Sequence, residues 1–220
     1  MTPMQIKVLR LGQVVTNCYL MADEAARQCV VIDPADHGEQ IALAIQQEGW
    51  TPSEIWLTHS HFDHILGIPG LRQVWPELTV FCHPLDMEDH EPTTSMFGIE
   101  VPTVWSFGNL EPYEEGDIME IGGIQAEVLH TPGHTPGSVC LRVDTGLDRV
   151  LFTGDTLFAG SMGRTDFPGG SEEDMVKSLA RLGRLTGDYR VCPGHEGFST
   201  LFKEQKYNPC MKAALERVPQ

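Results

Sequence analysis

Four side chains able to bind a metal fall within the six residues His59-Ser60-His61-Phe62-Asp63-His64. In an extended segment side chains alternate between faces, so His59 and His61 point the same way and can grip one ion together. If the chain turns into a helix after Phe62, Asp63 and His64 swing toward a second point close to the first. That is the layout of a dinuclear metal site. Three more candidates sit in short loops rich in Gly and Pro: His134 within residues 131–138, Asp155 within Thr153-Gly154-Asp155-Thr156, and His195 within Pro193-Gly194-His195-Glu196. Each follows a predicted strand, where loops commonly present functional groups and Gly and Pro fix the backbone that aims them. His59, His61 and His134 can then surround one ion and Asp63, His64 and His195 a second. Asp155 is the candidate bridge, and a water or hydroxide fills the remaining shared position.

The elements that must position these groups alternate in type. Short runs rich in Val, Ile, Leu and Tyr predict strands at Gln5–Leu11, Asn17–Ala22, Gln28–Ile32, Ser53–Leu57 and Leu78–Cys82. Apolar spacing predicts a helix over His37–Trp50 and another over His64–Trp75, broken around Gly67–Gly70. Residues 84–110 mix Met, Pro and acidic residues and read as an insertion or lid over the site. The second half repeats this alternation, with strands at Asp117–Ile121, Ile124–Leu129, Ser138–Val143, Val150–Phe152 and Tyr189–Cys192, a helix over Glu172–Leu182, and a partly helical tail over Phe198–Val218. Strand runs followed by helices, twice over, predict two sheets packed face to face with helices outside, in one domain spanning 1–220.

Composition narrows the partners. A formal charge of −16, with no run of Lys or Arg, argues against nucleic acid and anionic membranes. No stretch approaches a membrane span, and Met1–Gln13 alternates apolar and polar residues rather than forming a leader. The six cysteines are scattered without a CxxC pair, which fits reduced, buried thiols in a cytoplasmic protein, either monomer or homodimer. Cys192 lies close to His195 but lacks the partner spacing of a zinc ligand. His37, His83, His90 and His130 read as ordinary surface or core histidines. Asp33 reads equally as the partner of a ligand imidazole or as the turn residue before Pro34. Thr58 and Ser60 have no Gly-x-Ser-x-Gly context that would make either a nucleophile.

The His-x-His-x-Asp-His run with its distant His, Asp and Gly-His resembles the metal signature of the metallo-β-lactamase superfamily. The stretch from Thr153 to Gly170 resembles, more narrowly, the short glyoxalase II-like hydrolases, and the likeness runs to Asn208-Pro209. It implies an α+β, four-layer αββα sandwich binding two divalent metal ions, Zn first, with Fe or Mn as alternatives. The implied activity is hydrolysis of a small-molecule thioester such as S-lactoylglutathione by a metal-bridging hydroxide, with Asp63 and Asp155 catalytic and Arg164 substrate-binding. Zinc lowers the pKa of its water to about 7, and a thiolate leaves without much acid assistance. Two features depart from glyoxalase II proper: its C-terminal helical extension has no counterpart here, and Asp166 stands where the family has a tyrosine. Arg164 either clamps a substrate carboxylate or pairs with Asp166. The rival readings are a persulfide dioxygenase, with a similar Gly163-Arg164-Thr165-Asp166 loop and one iron held by two histidines and an aspartate, and a lactonase or β-lactamase. An RNA-processing nuclease fits the acidic charge poorly.

Overall fold

The computed structural model describes residues 4–87 and 102–219. Strands β1 (Met4–Leu11), β2 (Thr16–Asp23) and β3 (Gln28–Ile32) form an antiparallel meander. Helix α1 (Gly38–Glu48) then returns the chain so that β4 (Thr51–Trp56) pairs parallel with β3. After α2 (Phe62–Ile65) and α3 (Ile68–Val74), β5 (Thr79–Cys82) adds beside β4; α4 (Pro84–Met87) and a 3-10 turn at Val104–Phe107 precede the edge strand β6 (Leu110–Pro112). The second sheet begins with β7 (Ile118–Ile121), β8 (Ile124–His130), β9 (Val139–Asp144) and β10 (Arg149–Gly154), all antiparallel. A two-stranded ribbon, β11 (Leu157–Phe158) with β12 (Ser161–Met162), leads to α5 (Glu172–Leu182). Strand β13 (Arg190–Pro193) then pairs parallel with β10, β14 (Ser199–Thr200) closes that edge, and α6 (Leu201–Tyr207) and α7 (Pro209–Arg217) follow.

Alternation along the strands makes four layers. On β2, Cys18, Leu20 and Ala22 join Ile41 and Ile45 of α1 and Leu71 of α3 in an outer core. Tyr19 and Met21 point the other way and meet Val128, Leu141 and Phe152 of the second sheet. The far face of that sheet, with Cys140, Leu151 and Val191, is covered by Met175 and Leu179 of α5 and Met211 and Ala214 of α7. Central strands are thus apolar on both faces, as sheets covered on both sides require. The expected αββα arrangement is present.

Two expectations need correction. The break in the helix predicted over His64–Trp75 falls at Leu66-Gly67, and Gly70 lies inside α3. A Cβ on Gly70 would come 2.8 Å from the Gly38 Cα, so this glycine lets α3 cross close to α1 rather than ending a helix. Within 84–110, residues 84–87 are a helical turn packed into the frame and Leu110 starts an edge strand, so neither end is a lid; residues 88–101, with His90, lie outside the described residues. Strand β6 is three residues ending in Pro, a pattern tolerated only at an edge and hard to tell from a loop.

Trp56 lies between the two sheets with no exposed surface. Trp56→Ala should therefore cost about 3–5 kcal/mol of folding stability in chemical denaturation. Leu147→Ala, at a site 64% exposed, should stay within about 0.5 kcal/mol.

Candidate metal centre

Beyond β4 the chain bends at Thr58, is extended again at His61 and enters α2 at Phe62. His59 and His61 nonetheless meet, with ring centroids 4.9 Å apart, and Asp63 and His64 turn onto the first helical residues. Strands β8, β10 and β13 run the same way, because β8 and β10 are each antiparallel to β9 and β13 is parallel to β10. Their C-terminal ends, carrying His134, Asp155 and His195, consequently meet at one rim of the second sheet. The Thr58 carbonyl accepts from the Val139 amide at 2.9 Å, joining the end of β4 to that rim.

All seven predicted residues come together. The donor atoms of His59, His61 and His134 lie within 4.8 Å of one another, as do those of Asp63, His64 and His195, and those of His59, His64 and Asp155. One oxygen of Asp155 is 3.5 Å from His134 Nε2 and 3.4 Å from His195 Nε2, and its other oxygen is 3.5 Å from His64 Nε2. Asp155 thus stands between the two sets. Three buried atoms, His59 Nε2, His64 Nε2 and Asp155 Oδ1, have no hydrogen-bond partner among the described residues. Buried polar atoms are rarely left so, because the lost hydration is not repaid. A set of five imidazoles and two carboxylates converging on such atoms fits divalent Zn, and also Fe or Mn.

The groups behind these donors fix their tautomers. Asp33, buried at the end of β3, accepts from His64 Nδ1 at 3.0 Å, from the Thr58 hydroxyl at 2.7 Å and from the Thr58 amide at 2.7 Å. The Thr58 oxygen in turn lies 3.1 Å from His59 Nδ1. Both imidazoles are thereby turned to present Nε2. Both readings of Asp33 apply: its side chain partners the imidazole of His64, and its φ of 50° is a turn conformation. His134 Nδ1 donates to the Arg164 carbonyl at 2.8 Å, and Asp63 accepts from the Thr16 hydroxyl at 2.7 Å. Asn17 and Tyr19 of β2 both donate to the Pro193 carbonyl, at 2.9 and 2.7 Å, and hold the His195 loop. Gly154 has φ of 45°, and a Cβ there would lie 2.3 Å from the Thr58 hydroxyl, so only glycine serves both needs.

Thr16, Asn17 and Tyr19 escaped the sequence reading because polar residues in an apolar strand carry no local mark of a partner far along the chain. The remaining described histidines stay apart from the centre: His37 is at the surface, and His83 and His130 stack on each other with ring centroids 4.2 Å apart. Cys192 is buried in the core between the sheets. Arg164 makes a bidentate pair with Asp166 at 2.7 and 2.8 Å and lies over the Phe167 ring, 3.8 Å from its centroid. Its guanidinium is exposed, while its backbone carbonyl serves the centre.

Protons are distributed unevenly over the cluster. Burial, together with the neighbouring imidazoles, pushes His59 well below its usual range and takes His61 down to about 3. Burial acts in the same sense on His64, yet Asp63, Asp33 and Asp155 outweigh it and raise that ring to about 9. At His195 burial is again overcome, here by Asp155 and Asp63, and the value reaches about 10. Burial would raise Asp63 and Asp155, but His64 and His195 hold both below the usual carboxylate range. These directions favour the imidazolium form of His64 and His195 in the metal-free state.

The family model for the metallo-beta-lactamase superfamily matches residues 11–195. An uncharacterized protein of Aquifex aeolicus is 35% identical over 208 residues, covering 94% of this chain and 96% of its own. The Haemophilus influenzae hydroxyacylglutathione hydrolase GloC is 30% identical, covering 96% and 99%. Among solved structures, BLEG-1 B3 metallo-beta-lactamase superposes with a TM-score of 0.80 at 30% identity, covering 94% of this chain and 99% of that one. TTHA1623, in a di-iron-bound form, gives 0.79 at 37% identity, with coverage of 92% and 98%. ETHE1 from Myxococcus xanthus gives 0.73 at 29%, with coverage of 98% and 92%.

A histidine whose pKa is raised by folding adds stability that is complete below the unfolded value of 6.5 and is lost as pH rises through the folded value. For His64 and His195 that window runs from 6.5 to about 10. The metal-free protein should lose thermal stability across it. Loading with zinc at about pH 8 should release roughly two protons from these imidazoles and about one more from bound water, read by calorimetry in buffers of different ionisation enthalpy.

Proposed function

Because the chain belongs to the metallo-beta-lactamase superfamily, we propose that it is a metal-dependent hydrolase whose substrate is a small-molecule thioester, with hydroxyacylglutathiones as the first class to test. The observation that carries this reading is the placing of Asp155 between two donor sets, beside buried nitrogens that have no partner among the described residues. His59, His61 and His134 would hold one cation and Asp63, His64 and His195 the other, with Asp155 reaching both. Cations bound there would supply a water acidic enough to ionise near neutral pH and would polarise the substrate carbonyl.

The chain's own residues restrict what can leave. Asp63 and Asp155 are held below the usual carboxylate range and stay charged at neutral pH, so neither offers a proton to a leaving group. A thiolate needs none, whereas an amine does, which favours a thioester over an amide. Phe167 lies edge-on to His61 and Phe158 edge-on to His195, with ring centroids 5.7 and 6.2 Å apart, so apolar walls flank the metal-binding groups. Arg164 can meet a substrate carboxylate by exchanging it for Asp166, an exposed partner whose release costs little. The likeness to GloC supports the thioester reading, and the stretch Thr153 to Gly170 agrees with it.

The reading extends to a cytoplasmic protein of one domain, monomer or homodimer, with no nucleic acid or membrane partner. No helix among the described residues is long and apolar enough to cross a membrane. One observation favours a second reading: His59, His64 and Asp155 make a buried set of two imidazoles and one carboxylate, the composition of non-haem iron oxygenase sites.

A panel of substrates separates the two. Metal-analysed protein should hydrolyse S-lactoylglutathione or another acyl thioester, lose that activity on chelation and regain it on adding zinc. Asp155→Asn should lower kcat by about a hundredfold or more. Oxygen uptake with glutathione persulfide and bound iron, without thioester turnover, would replace the hydrolase with the oxygenase. Cleavage of β-lactams or lactones alone would move the substrate class.

A further inference from the structure

We propose that Asp86 is a positioning residue that spaces the three-histidine half of the centre and acts on that half selectively; this rests on the two-ion reading above. Asp86 lies in α4, is 2% exposed, and belongs to the segment that the sequence marks as a possible lid. One carboxylate oxygen accepts from the Ser60 amide at 3.0 Å and from the Thr135 hydroxyl at 2.8 Å, and the other accepts from the Gly137 amide at 2.6 Å. Ser60 lies between His59 and His61, and Thr135 directly follows His134. A single planar group therefore ties together the two segments that bring His61 Nδ1 within 2.8 Å of His134 Nε2.

The surroundings are built for this contact. A Cβ on Gly137 would fall 2.6 Å from the Asp86 carboxylate oxygen, so the close approach requires glycine. The Thr135 hydroxyl also lies 2.7 Å from the Ser138 hydroxyl, which accepts from the Thr135 amide at 3.0 Å and closes the His134 loop on itself. The other half has separate supports: Thr16 for Asp63, Asp33 for His64, and Asn17 with Tyr19 for the His195 loop. An aspartate accepts at every position facing these donors, while an asparagine turns an N–H₂ toward one of them and leaves it unpaired.

The test uses the full chain. Metal-free wild type, Asp86→Asn, Thr135→Val and Thr135→Ser are titrated with cobalt(II), following the visible absorption bands, and unfolding is recorded for each. Wild type should take two ions. Asp86→Asn and Thr135→Val should keep one ion at wild-type affinity and bind the other about 10–100-fold more weakly. The one-ion spectrum should match that of His134→Ala, and Thr135→Ser, which keeps the hydroxyl, should behave as wild type. If Asp86→Asn lowers stability while both ions bind unchanged, or if both weaken equally, the selective role is overturned. If Asp86→Asn does not fold, the contrast between Thr135→Val and Thr135→Ser decides. A wild type that takes fewer than two ions would overturn the dinuclear reading itself, and this inference with it.

Discussion

The centre depends first on one buried carboxylate. Asp33, 1% exposed at the end of β3, receives hydrogen bonds from the Thr58 amide, the Thr58 hydroxyl and His64 Nδ1. A carboxylate removed from water at that depth is costly unless it is hydrogen-bonded, and these three donors engage both of its oxygens. The parallel pairing of β3 with β4 places the donors, and the Asp33 amide continues it by donating to the Trp56 carbonyl at 3.1 Å. The consequence is chemical as well as structural. With Nδ1 of His64 directly engaged, and Nδ1 of His59 engaged through Thr58, both rings turn Nε2 toward the place where cations would sit.

The two halves of the donor set then come from different sheets. His59, His61, Asp63 and His64 follow β4 in the first sheet, while His134, Asp155 and His195 follow strands of the second. Neither sheet holds a complete set, so the site requires the packing of the inner core, which includes Trp56, Tyr19 and Phe152. Backbone contacts across the rim complete the registration: Val139 donates to Thr58, and Asn17 donates to the Gly194 carbonyl at 2.7 Å. Gly194 also lets the His195 loop lie against Asp155, since a Cβ there would fall 2.2 Å from Asp155 Oδ1. Fold and centre belong to one family, and the substrate is decided by what surrounds the centre.

The convergence of the seven candidate residues and the layer order were legible because each has a local mark. Histidines at alternate positions after an apolar run identify a strand end with two side chains on one face, and Gly and Pro beside His134, Asp155 and His195 identify aimed loops. The supports were not legible. Thr16, Tyr19 and Asp86 act across the chain, on Asp63, the Pro193 carbonyl and the His134 loop respectively, and nothing in their own neighbourhoods points there. Asp33 stood midway, with Pro34 arguing for a turn and its place at a strand end arguing for a partner. The structure shows that both apply: its φ is 50°, a turn conformation, and its side chain holds His64. Gly70 misled for a related reason, since a glycine needed for helix crossing looks in sequence like a helix end.

The central claim is that two cations share Asp155. Anomalous X-ray diffraction at the zinc edge, from crystals of the full chain grown with zinc, tests it most directly. Two peaks about 3.5–4 Å apart are expected. One should lie about 2.0–2.2 Å from His59, His61 and His134, the other at that distance from Asp63, His64 and His195, with Asp155 reaching both. A single peak at full zinc occupancy, or two peaks that leave Asp155 unbound, would contradict it.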